Sequence, residues 1–228
     1  MSTFHSVALA RMTAQTTQWE VADDRRAVFL RCYSLMTHNM LAAVQAGEFS
    51  DGPWVSRLLE RFAEYYFMAL QAYEEDPAST PAVWQLAHQA ALTGHGLALN
   101  QLLLGVNAHI NYDLVLCLAD LLEEEWLSLS VEQRAQRYRD HCHVNAVIAR
   151  TIDRVQDELL EPGTPLLSLL DLLLGPADEQ MISRVITHWR DEVWQRAAAL
   201  LDAEDSTERA YLIRETERAA LGIAHYLG

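Results

Sequence analysis

The chain has 228 residues, half of them hydrophobic, enough to bury a substantial core in one or two domains. Its formal charge of −15 comes from 32 acidic against 17 basic residues, and every basic residue is Arg. Such a surface repels phosphate backbones and anionic membranes, which sets nucleic acid aside as a partner. The lack of Lys also excludes Schiff-base chemistry and a phosphate-loop lysine.

Residues 1–24 lack a basic start followed by an uninterrupted apolar core, so no export signal is expected and the segment reads as loosely ordered. Asp23 and Asp24 are placed to cap a helix from Arg25 to Ala46, which Gly47 ends. Phe29, Cys32, Tyr33, Met36, Met40 and Val44 give that helix an apolar stripe. After Gly52-Pro53, a second helix runs to Tyr73 with Trp54, Leu58, Phe62, Tyr65 and Tyr66 on its apolar positions. Asp76 to Pro81 is the clearest linker, with Thr80 as the expected N-cap and Pro81 as the first residue of a third helix ending near Leu92. Gly94 and Gly96 bracket His95 in a break. A long apolar helix then spans Leu97 to Leu127, with a kink expected near Gly105.

Ser130 starts another long helix that lasts until Glu161-Pro162-Gly163, and a short apolar helix, Pro165 to Leu174, ends at Gly175-Pro176. Helices from Asp178 to Asp202 and from Thr207 to Tyr226 complete the chain. No segment alternates apolar and polar residues with β-branched enrichment, so no strand is expected. The reading is one all-α domain over 1–228, a bundle of about seven to nine helices with long central helices. Apolar runs such as Leu97 to Val106 are too short to span a bilayer, so no membrane span is expected. Cys32, Cys117 and Cys142 are odd in number and lack Cys-x-x-Cys spacing, which points to reduced thiols and a cytoplasmic location. Six tryptophans and eight tyrosines supply material for a homodimer interface.

The chemistry concentrates in Leu104 to Leu114, where Asn107, His109, Asn111 and Asp113 fall inside one of the most apolar stretches. His109 and Asp113 are four apart and project from one helix face. Burying an imidazole and a carboxylate costs several kcal/mol unless each finds a proton, a partner or a metal. Asn107 and Asn111 are also four apart and are placed to bridge helices. His88 and His95 lie seven apart; His141 and Asn145 lie four apart, with Asp153 a further eight along. His188 opens a segment in which Trp189 and Trp194 surround Arg190. The expected metal donors are His109 and Asp113 with His95, His141 or His188, holding a divalent zinc, iron or manganese ion. Tyr66, Asn145, Trp189, Arg190 and Trp194 are the candidates for contacting substrate. Protease, esterase and nucleotide-binding motifs are missing, as are the paired Glu-x-x-His sequences of a bundle di-iron site.

The segment from Leu104 to Leu114 resembles the Gly-x-Asn-Ala-His-Ile-Asn-x-Asp-Leu stretch of an uncharacterised, mostly bacterial family of domains of unknown function. Phe62-Ala63-Glu64-Tyr65-Tyr66, His143-Val144-Asn145 with Ile148 to Thr151, and Trp189 to Ala197 are similar to further parts of that family. The likeness covers Phe29 to Leu200. Tyr112 stands where an arginine is usual, and Val115 where proline is common. The resemblance implies no activity, but it implies that Asn107, His109, Asn111 and Asp113 act as a unit.

Two classes of function fit this pattern. One is a small-molecule enzyme with catalytic His109, Asp113, Asn107 and Asn111. It acts as a metal-dependent hydrolase, or without metal as a His109-base cyclase or isomerase on an apolar substrate. The other is a non-catalytic binding protein in which the cluster is a structural polar network. A cavity reaching His109 favours the enzyme, and a solid core closing over it favours the network.

Overall fold

The computed structural model describes residues 6–94, 98–158 and 176–227. His95, the side chain of Asp153 and the expected short helix Pro165 to Leu174 lie outside the described residues. Within them the protein is all-α, without strands: α1 Val7–Val21, α2 Arg26–Gln45, α3 Gly52–Glu75, α4 Ala82–Thr93, α5 Ala98–Ala108, a π-helical turn His109–Asp113, α6 Leu114–Leu122, α7 Val131–Glu158, α8 Pro176–Leu201 and α9 Ser206–Leu227.

Most of these boundaries follow the capping chemistry. Asp51 accepts from the Trp54 N–H at the start of α3, and Gly94 ends α4 at φ +64°, a conformation that disfavours side chains. Ser130 and Gln133 exchange hydrogen bonds to open α7. Two local expectations need correction. Val7–Val21, within the segment read as loosely ordered, forms a helix because Ser6 caps it and Met12 and Trp19 bury against α2 and α3. Thr80 does not cap α4; instead Glu217 of α9 accepts from the Ala82 N–H at 2.6 Å.

α5, the π turn and α6 are one continuous helix through the centre of the molecule. Its Leu99–Leu122 stretch of 24 residues, longer than the run Leu97 to Val106 considered above, is by length and composition alone long and apolar enough to cross a membrane. Its most apolar window is 72% buried inside the protein, as for the core helix of a bundle. Leu104 and Ala108 sit in one core cluster with α1, α2, α3, α4 and α9. Leu114, Val115, Leu118 and Leu122 sit in a second cluster with α3, α7 and α8.

The π turn reconciles these two environments. The Leu114 N–H bonds to the His109 carbonyl five residues back, so the turn holds one residue more than an α-helical turn. One inserted residue rotates the following face by about 100°, which turns the α6 apolar stripe from the first cluster to the second. Gly105 lies within α5, and the irregular turn nearest to it is the π turn that begins at His109. A Cβ on Gly105 would lie 2.7 Å from Phe29 Cδ2, so glycine here permits α2 to close onto the central helix.

Candidate functional site

The π turn carries His109 and Asp113 at the junction of the two clusters, both almost fully buried. His109 Nδ1 lies 2.9 Å from Asp113 Oδ2. From α4, Trp84 donates its indole N–H to both carboxylate oxygens at 3.0 Å each. A wall of aromatic rings holds the imidazole in place. Phe62 of α3 stacks on it with centroids 3.6 Å apart and planes 7° from parallel, and Tyr33 of α2 meets it edge-on at 4.3 Å. Phe29 and Tyr66 contact it at 5.9 and 6.0 Å. Four helices therefore converge on one five-membered ring, and it has little freedom to rotate.

Burial sets the electrostatics. It disfavours charge on each member of the pair, lowering the affinity of His109 for a proton and raising the Asp113 carboxyl above its ordinary range. Wherever the proton between them resides, the inner edge of the imidazole is occupied by Asp113. The outer nitrogen, Nε2, is buried with no hydrogen-bond partner among the described residues.

His109 also borders a partly open cavity of about 200 Å³ lined by α2, α3, the central helix, α7 and α8. Its wall is almost wholly apolar, with Met36, Met40, Leu103 and Ile148 typical of it. The lining residues with polar atoms include His109, Tyr33, Thr37 and Arg190. The Tyr33 hydroxyl is buried beside that of Thr37, one turn along α2; neither has a well-formed hydrogen bond, and burial holds the phenol well above its ordinary pKa.

The remaining expected site residues divide among other tasks. Asn107 donates to the Ala220 carbonyl of α9 at 2.9 Å and accepts from Asn111 at 2.9 Å, so the two amides tie the central helix to α9 rather than joining His109. An offset of two residues along a helix places them on nearly the opposite face. Among the substrate-contact candidates, Arg190 lines the cavity, while Tyr66, Asn145, Trp189 and Trp194 do not. Tyr66 packs in the aromatic wall, and Trp194 packs against Trp126, Tyr138 and His141. Of the expected metal donors, His95 lies outside the described residues, and neither His141 nor His188 joins the His109/Asp113 pair. His141 bonds to the Arg190 carbonyl at 2.9 Å, and His188 is exposed beside Glu192. Among the described residues no three His, Cys, Asp or Glu side chains are grouped to hold a metal ion. All three cysteines are free.

Trp84, Phe62, Tyr33 and Thr37 are the site residues that sequence reasoning missed. The one available signal is general: a buried indole N–H needs an acceptor, and Trp84 lies in a helix that offers no acidic residue of its own.

Three buried histidines make stability depend on pH. Burial holds His88, stacked on Trp84 with centroids 5.1 Å apart, down to about 4. His109 is lowered and His141 lies well below the ordinary value of 6.5. A histidine whose folded pKa is depressed binds its proton preferentially in the unfolded chain. Its stabilising contribution is therefore complete above pH 6.5 and is lost as the pH falls from there towards the folded value. Asp113 has the opposite sign: its raised carboxyl costs stability as the pH rises from the ordinary value of 3.8 to its folded value, and that cost is relieved as the pH falls through the same window. Three imidazoles outweigh that one carboxyl, at up to about 1.4 kcal/mol per pH unit for each group. The melting temperature is expected to fall between pH 7 and pH 4.5, and to fall less in His88→Phe. A flat profile would mean that these rings are charged within the fold.

The family model for a family of unknown function (DUF5995) matches residues 6–228, and the chain belongs to that family. No curated protein and no solved structure matches the chain.

Proposed function

We propose that this member of the DUF5995 family binds a small, mostly apolar molecule in the cavity beside His109 and catalyses a proton transfer on it, as in an isomerisation, elimination or cyclisation. The observation that carries this reading is the buried Nε2 of His109, without a partner among the described residues, on a ring that borders an apolar cavity while Nδ1 is held by Asp113.

In an isomerisation, Nε2 takes a proton from an activated C–H or O–H of the substrate, and the electron pair of that bond moves into the substrate's π system. The imidazolium formed is stabilised by the Asp113 carboxylate, which Trp84 holds in position. The proton then returns from Nε2 to a different substrate atom, so protons and electrons balance without a redox partner. Phe62 and Tyr33 fix the ring plane, and the burial of Nε2 keeps bulk water from competing for it. A metal-dependent hydrolase has less support from this donor set, because Nδ1 and both Asp113 oxygens already have partners and His141 and His188 are engaged elsewhere.

The test is nitrogen NMR of the imidazole during titration with cyclohexanol and, separately, methylcyclohexane. The two probes have similar size, and only the alcohol reaches a hydrogen-bonding partner. We expect cyclohexanol to shift the Nε2 resonance of His109 and to bind about tenfold more tightly, the equivalent of one net hydrogen bond. Saturable binding of both probes with an unmoved Nε2 would sink the catalytic role and leave an apolar binding protein.

A further inference from the structure

The cavity has a second unusual member. Arg190 is the one permanently charged residue among its described lining, and it is only 4% exposed. Its guanidinium is held by neutral groups. Nε donates to Asn145 Oδ1 at 2.7 Å, and Nη2 donates to the His141 carbonyl at 2.9 Å and lies 3.3 Å from His141 Nδ1. Burial and the neighbouring guanidinium keep His141 uncharged. No carboxylate among the described residues forms an ion pair with Arg190. Asp191, the adjacent residue, is exposed and acts on it only through space. Burial lowers the Arg190 pKa to about 10, which leaves it charged at neutral pH.

A buried cation without a counter-ion costs several kcal/mol, and cores ordinarily avoid it by pairing or by substitution with an apolar side chain. Here the charge is retained at the wall of a cavity that is otherwise apolar. We infer that Arg190 binds the carboxylate of a small monocarboxylic acid whose hydrocarbon part fills the cavity. This rests on the cavity being a ligand site, as proposed above, and narrows its ligand class.

Two considerations define that class. A dry cavity of about 150 Å³ accommodates benzene, so the present one suits an acid of about eight carbons. With Nε and Nη2 held by Asn145 and His141, Nη1 is left to meet a carboxylate oxygen, and the single positive charge matches a single carboxylate, whereas a phosphate monoester carries a second charge that needs further donors. The acidic exterior does not oppose this at equilibrium, since charges on the surface are screened over about 8 Å at physiological salt.

Calorimetric titration of the full chain with octanoate, octan-1-ol and octyl phosphate at pH 7.5 tests the inference. Octanoate is expected to bind at least about tenfold more tightly than octanol and no less tightly than octyl phosphate. Arg190→Gln is expected to remove that preference while leaving octanol affinity unchanged. If Arg190→Gln does not fold, the comparison of probes on the unaltered chain decides by itself. Equal binding of octanoate and octanol overturns the carboxylate inference and leaves the cavity reading intact. Tighter binding of octyl phosphate overturns it in favour of another anion. Binding of none of the three overturns both.

Discussion

Asp113→Ala is expected to destabilise the protein by about 3–5 kcal/mol, read as a lowered urea midpoint at unchanged slope. The substitution does more than delete a hydrogen bond. It leaves the Trp84 indole N–H and the inner edge of the His109 ring facing each other's empty position, both deep in the core. Each orphaned group costs about 1–3 kcal/mol, and the loss of side-chain volume adds a void. Asp113→Asn keeps an acceptor for Trp84 and is expected to cost less than half as much. A loss below about 1 kcal/mol for the alanine variant would mean that water enters and solvates both groups, so the pair would not be dry.

The helices were legible because their signals are local. The stripe from Phe29 to Val44, the helix start at Gly52-Pro53 and the linker at Asp76 to Pro81 each depend on residues within a few positions of one another, and the elements fall close to where they are expected. The π turn was not legible, because nothing in His109-Ile110-Asn111-Tyr112-Asp113 requires a wider turn. It arises from the need to aim α5 and α6 at different clusters, which depends on helices far away in sequence. The role of Gly105 was hidden for the same reason: its glycine admits a close contact with Phe29, 76 residues earlier.

For the site, spacing identified the His109/Asp113 pair correctly as a joint object but grouped it with the wrong neighbours. Asn107 and Asn111 adjoin the pair in sequence yet face α9, whereas Trp84, Phe62 and Tyr33 are distant in sequence and surround the ring. Donor type alone suggested a metal shell from four histidines and one carboxylate. The fold gives His141 to Arg190 and His188 to the surface, His95 lies outside the described residues, and Nε2 of His109 has no partner among the described residues.

The triple variant Trp84→Phe, His109→Leu, Asp113→Leu separates a functional pair from a structural network. Removing one member strands the others, but removing all three leaves nothing to strand. Replacing a buried ion pair or polar triad by apolar side chains of similar volume is commonly neutral or stabilising by about 1–4 kcal/mol. The expected result is therefore a triple variant at least as stable as the parent, and well above Asp113→Ala, that has lost the preference for cyclohexanol over methylcyclohexane. In that case the fold does not need the polar triad, and its presence beside a cavity answers to a ligand. A triple variant as unstable as Asp113→Ala would assign the triad to fixing helix register, and the proton-transfer reading would lose its physical basis. The contrast is sharp because Phe62, Tyr33 and Phe29 already surround the ring with apolar surface. A leucine at 109 would meet compatible neighbours on every side but one, the edge that Asp113 now holds.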